Sequence, residues 1–84
     1  MIYKFRYPEI DVKATGRKIR EKCAEKGLSV TQIQEFLFVG SNQAVYSWYS
    51  GRTLPRLDTF YALASLLEVK MDDLIVKAEE TKNM

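Results

Sequence analysis

Apolar and polar residues alternate along this chain in two rhythms. Residues 2–8, IYKFRYP, keep a period of two as far as Pro8, which reads as an extended arm or an edge strand. Beyond it the spacing is helical. Asp11 offers an N-cap for a first helix from Val12 to about Lys26, closed by Gly27. Its inner stripe is Val12, Ile19 and Cys23, and the rest is strongly charged. Gly16 weakens this helix by up to about 1 kcal/mol relative to alanine, so it needs tertiary support. Ser29 caps a short second helix, Val30 to about Leu37, in which Ile33 and Leu37 lie one turn apart. At FVGS, Gly40 permits a turn and Ser41 caps a third helix that ends at Gly51. A fourth runs from Arg56, beside Pro55, to about Leu67, with Phe60, Leu63, Ala64 and Leu67 one face apart and Ala62 and Leu66 widening it. A last short helix, Met71 to Val76, adds Leu74 and Ile75, and KAEETKNM reads as a fraying polar tail. The expectation is an all-α, compact five-helix bundle at 11–76, an extended N-terminal arm at 1–10 and a polar tail at 77–84.

The third helix differs from the others in chemistry. At about 100° per residue, Ala44, Val45 and Trp48 point into the bundle. Asn42, Gln43, Tyr46, Ser47 and Ser50 fall on the opposite side, with Tyr49 on the flank. A solvated helix face normally carries Lys and Glu. Here stand short amides and hydroxyls, which both donate and accept hydrogen bonds, as base edges in the major groove require. The stretch Ser41 to Arg56 holds no acidic residue, and its two charges, Arg52 and Arg56, come after the helix. A polar face that meets a protein through Tyr46 and Tyr49 fits the same composition.

Composition narrows the choice. Cys23 is the single cysteine and histidine is absent, which removes an internal disulfide, the usual zinc ligands and the commonest acid–base catalyst. No enzymatic chemistry, metal or cofactor is expected. The longest apolar run is Phe36 to Val39, far short of the ~20 residues that cross a bilayer, and the N-terminus lacks a signal-peptide core. A cytoplasmic protein without membrane contact is the expectation. The net charge of +2 is small but polarised, with eight basic and four acidic residues in 1–27 against three and six in 58–84. A basic face for phosphate is one consequence, and a solvated surface is the other.

The second and third helices, about 30–51, have the dimensions of a helix-turn-helix, whose first helix crosses the DNA backbone and whose second enters the major groove. The loop GRTLPR then sets Arg52, Thr53 and Arg56 beside phosphates, and the start of the fourth helix adds backbone N–H groups. Residues 12–76 resemble the phage-repressor (Cro-like, XRE-type) helix-turn-helix family. The resemblance rests on the block with Val45, Trp48 and Gly51, then Pro55 and LDTFYALASLLEV. It implies a lambda-repressor-like bundle in which Asn42, Gln43, Tyr46 and Ser47 contact bases. It implies phosphate contacts from Thr31, Gln32, Ser41, Ser50, Arg52, Thr53 and Arg56. The chain departs from the family in a turn, LFVGSN, one residue longer than usual. Gln34 stands where a small residue is usual, Lys22 where leucine is, and Arg56 and Lys70 where a Ser or Thr cap is common.

The implied function is a sequence-specific transcriptional regulator, a repressor, binding double-stranded DNA as a homodimer on an inverted repeat, with no small-molecule ligand. Dimer contacts come from the fourth and fifth helices or from the arm. The rival is a protein-interaction adaptor or antitoxin whose partner covers Phe36, Tyr46 and Tyr49.

Overall fold

The computed structural model describes residues 5–79. Five helices follow in order: α1 (Val12–Glu25), α2 (Val30–Phe36), α3 (Asn42–Ser50), α4 (Leu57–Leu67) and α5 (Met71–Leu74). Three of the five helix starts have a local side-chain cause. The Asp11 carboxylate accepts from the Ala14 amide at 2.9 Å and starts α1. Ser29 and Gln32 form a reciprocal capping box at α2: the Gln32 amide N–H donates to the Ser29 hydroxyl, and the Ser29 N–H donates to Gln32 Oε1. Ser41 precedes α3 without the side-chain bond expected of it, and Arg56 likewise leaves α4 uncapped. At α5 the Asp73 carboxylate accepts from the Lys70 amide at 3.0 Å, so a residue inside the helix does the capping.

Four helices end in one way. In each, the N–H two residues past the last full turn reaches back five residues: Leu28 to Cys23, Val39 to Gln34, Arg52 to Ser47 and Val69 to Ala64. The motif needs a left-handed residue before that N–H. Gly27 and Gly51 supply it at φ 69° and 77°, but Phe38 and Glu68 supply it at φ 54° and 58° after α2 and α4. The turn between α2 and α3 therefore does not hinge on Gly40, as its sequence suggested. Gln34 holds it, its amide nitrogen donating to the Val39 carbonyl at 2.7 Å, which gives this half-buried side chain its polar partner.

The core joins all five helices. Ile19, Ile33, Val45, Leu63 and Leu74 are fully buried, each stabilising the fold by about 1.5–3 kcal/mol, and Trp48, Cys23, Ala64 and Leu67 fill the space between. Three buried α1 residues, Ala14, Thr15 and Gly16, fall outside the stripe read from sequence. Thr15 sits inside with its hydroxyl oxygen accepting from the Val76 amide at 3.0 Å. Gly16 faces α3 so closely that a Cβ there would lie 2.2 Å from the Trp48 carbonyl oxygen. Val12 is only half-buried.

The chain ends differ from expectation. α5 stops at Leu74, two residues early, because Ile75 turns extended and Val76 is drawn to Thr15. Ile10 and Lys77 then form an isolated antiparallel bridge, flanked by bonds from Asp11 to Val76 and from Ala78 to Glu9. The expected tail thus opens with residues tied to the root of the arm. Residues 5–9 of the arm form neither helix nor strand, and residues 1–4 and 80–84 lie outside the described residues.

Candidate nucleic-acid interface

α3 owes its orientation to two glycines. Gly16 lets α1 press onto the backbone at Trp48 and Tyr49, and Gly51 lies where a Cβ would come within 2.6 Å of Lys13 Cα. Val45 and Trp48 are held in the core by this crossing, with Ala44 half-buried beside them. The polar side stands clear: Asn42, Gln43, Tyr46 and Ser50 are exposed and Ser47 is half-buried.

Gln43, Tyr46, Ser47, Ser50 and Arg52 line one shallow depression. Tyr46 is braced edge-on against Tyr49, ring centres 6.5 Å apart and planes at 89°. Tyr49 faces the other way. Its hydroxyl hydrogen-bonds the Cys23 sulfur, and burial, then that bond, pushes the phenol well above its usual pKa. Burial likewise raises the Cys23 thiol, with the Tyr49 bond opposing. Tyr49 therefore braces Tyr46 with its hydroxyl already engaged, while its half-buried ring still borders the surface.

The remaining candidates are unequal. Asn42 donates to the Thr31 hydroxyl at 3.4 Å, bridging the starts of α3 and α2. Gln32 has committed its carbonyl oxygen to Ser29, which leaves its amide nitrogen to donate. Ser50 turns its hydroxyl hydrogen onto the Ser47 carbonyl at 3.2 Å, so a phosphate contact from it requires that bond to break. Ser41, Arg52 and Thr53 are exposed. Arg56 pairs with Asp58 at 3.2 Å, both highly exposed, which offsets part of its charge and leaves Arg52 the stronger cation of the loop. Arg20 of α1, which the sequence offers with Lys13, Arg17 and Lys18 either as solvated charge or as a wider basic footprint, lines a neighbouring depression with Tyr46, Tyr49 and Ser50.

This arrangement offers amides and hydroxyls on a protruding helix, a tyrosine held upright and flanking arginines. Among the described residues no cluster of His, Cys, Asp or Glu could hold a metal ion, and no helix is long and apolar enough to cross a membrane.

No protein-family model matches the chain, and no curated protein matches it in sequence. Solved structures do match. The restriction-modification controller protein C.AhdI from Aeromonas hydrophila superposes with a TM-score of 0.69 at 23% identity, over 76% of this chain and 96% of that one. The hypothetical transcription factor NHTF from Neisseria gives 0.68 at 19%, over 98% of this chain and 100% of that one. The DNA-binding domain of BldD gives 0.65 at 23%, over 77% and 93%. The likeness is one of fold: this chain and those proteins share a compact bundle of short helices. Within this bundle α2 and α3 are consecutive short helices joined by the turn at residues 37–41.

Proposed function

We propose that this protein is a sequence-specific DNA-binding regulator that reads the major groove with α3. One observation carries the reading: the exposed side of α3 is made of Asn42, Gln43, Tyr46 and Ser50, uncharged groups on a helix fixed rigidly by Gly16 and Gly51. Gln43 is the leading base reader, since an amide pairs bidentately with adenine and discriminates by about 1–3 kcal/mol. Asn42 sets the register of α3 against α2 and meets the adjoining base. Tyr46 and Ser47 complete the contact. Arg52, Thr53, Ser41, Thr31, Gln32 and Arg56 hold phosphates, with Ser50 joining when it leaves Ser47. A single unit covers few base pairs, so two copies bind half-sites about one DNA turn apart, as a repressor on an inverted repeat. That the solved neighbours include a DNA-binding domain and a controller protein supports this.

Selection of bound fragments from random DNA tests the reading. Enriched sequences with two-fold symmetry, bound less tightly as salt rises, are the expected outcome. No enrichment, or binding indifferent to salt, would instead favour a protein partner on Phe36 and Tyr46, both 54% exposed.

A further inference from the structure

A second apolar surface lies away from α3. Ile10, Leu54, Leu57, Phe60, Met71 and Ile75 line an apolar groove bounded by the arm root, the loop before α4, α4 itself and α5. Leu57 is 76% exposed and Tyr61, one turn along α4, is 65% exposed. The groove shares no residue with the depressions around Tyr46. The arm presents the complementary shape. Phe5 and Tyr7 are 74% and 83% exposed, and their spacing of two places them on one side wherever the arm lies extended.

The root of the arm is already committed at its own groove. Ile10 already forms part of the groove wall and is pinned there by its bridge to Lys77. Pro8 fixes its own φ near about −65° and biases Tyr7 toward extended backbone, which disfavours a tight reversal of the arm into its own groove. We propose that the arm of one copy lies in the groove of a second copy, and the reverse, with Phe5 and Tyr7 set against Leu57 and Met71. The inference rests on the dimer in the reading above and names its surfaces.

Charge and area agree. The described part of the arm carries Arg6; on the groove side Asp58 pairs with Arg56 and Glu68 with Lys26, which leaves Asp72 and Asp73 against Lys70, with Asp72 beside Tyr61 and Met71. Aromatic side chains bury about 150–250 Å² each, so two per arm contribute roughly 600–1,000 Å² over both arms. With the matching groove surface counted, this meets the ~1,200–2,000 Å² of a stable interface. Because each arm starts at the wall of a groove, reciprocal exchange closes about one two-fold axis.

Sedimentation equilibrium of the full chain without DNA tests this, with a double variant Phe5→Ser/Tyr7→Ser and a groove variant Leu57→Lys. The altered side chains are largely exposed, so both variants keep the fold. The native chain should dimerise, and each variant should raise the dimer dissociation constant at least tenfold. Mixing the two variants should restore dimers, since an intact arm then meets an intact groove once per pair. A monomeric native chain, an unaffected dimer in either variant, or two losses without restoration on mixing would each overturn the proposal. Base reading by α3 is scored separately by fragment selection, so either idea can fail without the other.

Discussion

Replacing Gly16 by alanine sets two effects against each other at one position. Within α1 the change helps, because alanine is better than glycine in a helix interior by about 1 kcal/mol. Across the α1–α3 crossing it harms. The new Cβ would lie 2.2 Å from the Trp48 carbonyl oxygen and 2.8 Å from that of Tyr49, where real Cβ atoms stay beyond 3.0 Å. Both oxygens belong to backbone, which cannot rotate aside as a side chain does. Relieving the shorter contact requires the helices to part by about 0.8 Å. A gap of that order forfeits roughly a quarter to a half of each dispersion contact across the seam. Overpacking of this kind costs about 1–3 kcal/mol, and rigid partners put this case at the upper end. Net of propensity, a loss of about 2 kcal/mol remains, or a melting temperature lower by about 8–16 °C for a domain of this size. Urea unfolding followed by Trp48 fluorescence measures it directly. Gly40→Ala is the control: its Cβ meets nothing within 4 Å and its φ is not positive, so it should gain about 0.4–1 kcal/mol. A Gly16→Ala variant as stable as the parent, or a control that falls equally, would refute close approach as the reason for this glycine.

Gln43→Ala should weaken binding to the selected site by about 1–3 kcal/mol with an unchanged melting curve, and equal affinity would remove Gln43 from base reading. Arg52→Ala should weaken binding to all sequences alike and lower the salt slope by about one, whereas a loss confined to the selected site would contradict a phosphate role. Phe38→Gly should raise stability by up to about 1 kcal/mol, because Phe38 is 95% exposed and sits in a left-handed conformation that glycine adopts without strain. A fall in the urea midpoint would show that the ring packs on something. Cys23 and Tyr49 have folded-state pKa values above their unfolded ones, so their neutral forms favour the fold at neutral pH. Above about pH 8.5 the unfolded thiol ionises while the folded one holds its proton, and stability falls as pH rises further. Cys23→Ala should flatten the part of that fall between about pH 8.5 and 10, and an identical slope would exclude the thiol as its cause.

Legibility in the sequence followed whether the signal was local. α4 could be read because Phe60, Leu63, Ala64 and Leu67 repeat at helical spacing, and all four are buried. The α3 face could be read because the same wheel that hides Val45 and Trp48 exposes Gln43 and Tyr46. Where contact comes from far along the chain, periodicity says nothing. Thr15 and Val76 are 61 residues apart, and their bond ends α5 early. Cys23 and Tyr49 hold each other across the α1–α3 interface, and nothing near Tyr49 in sequence shows that its hydroxyl is already engaged. Gly16 looked like a weakness in α1 for the same reason, since its partner is the backbone of another helix.

The turn between α2 and α3 shows how an unfavoured residue is tolerated where a glycine would be expected. The end of α2 requires a left-handed residue at position 38, and phenylalanine there costs roughly 1–2 kcal/mol. Two bonds from one residue oppose that cost: the Gln34 carbonyl accepts from the Val39 amide at 3.0 Å, and its side-chain amide donates to the Val39 carbonyl at 2.7 Å. Each such bond contributes about 0.5–1.5 kcal/mol, enough together to offset the strain. The extra residue of the turn is thereby fixed and not loose, and α3 is clamped from both sides, by Gln34 ahead of it and by Gly16 and Gly51 against α1. Gln34→Ala removes only the side-chain bond. It should lower stability by about 1 kcal/mol and weaken specific binding through a less ordered α3, although residue 34 touches no base. If stability falls and affinity for the selected site does not, the angle of α3 depends on the α1 crossing alone.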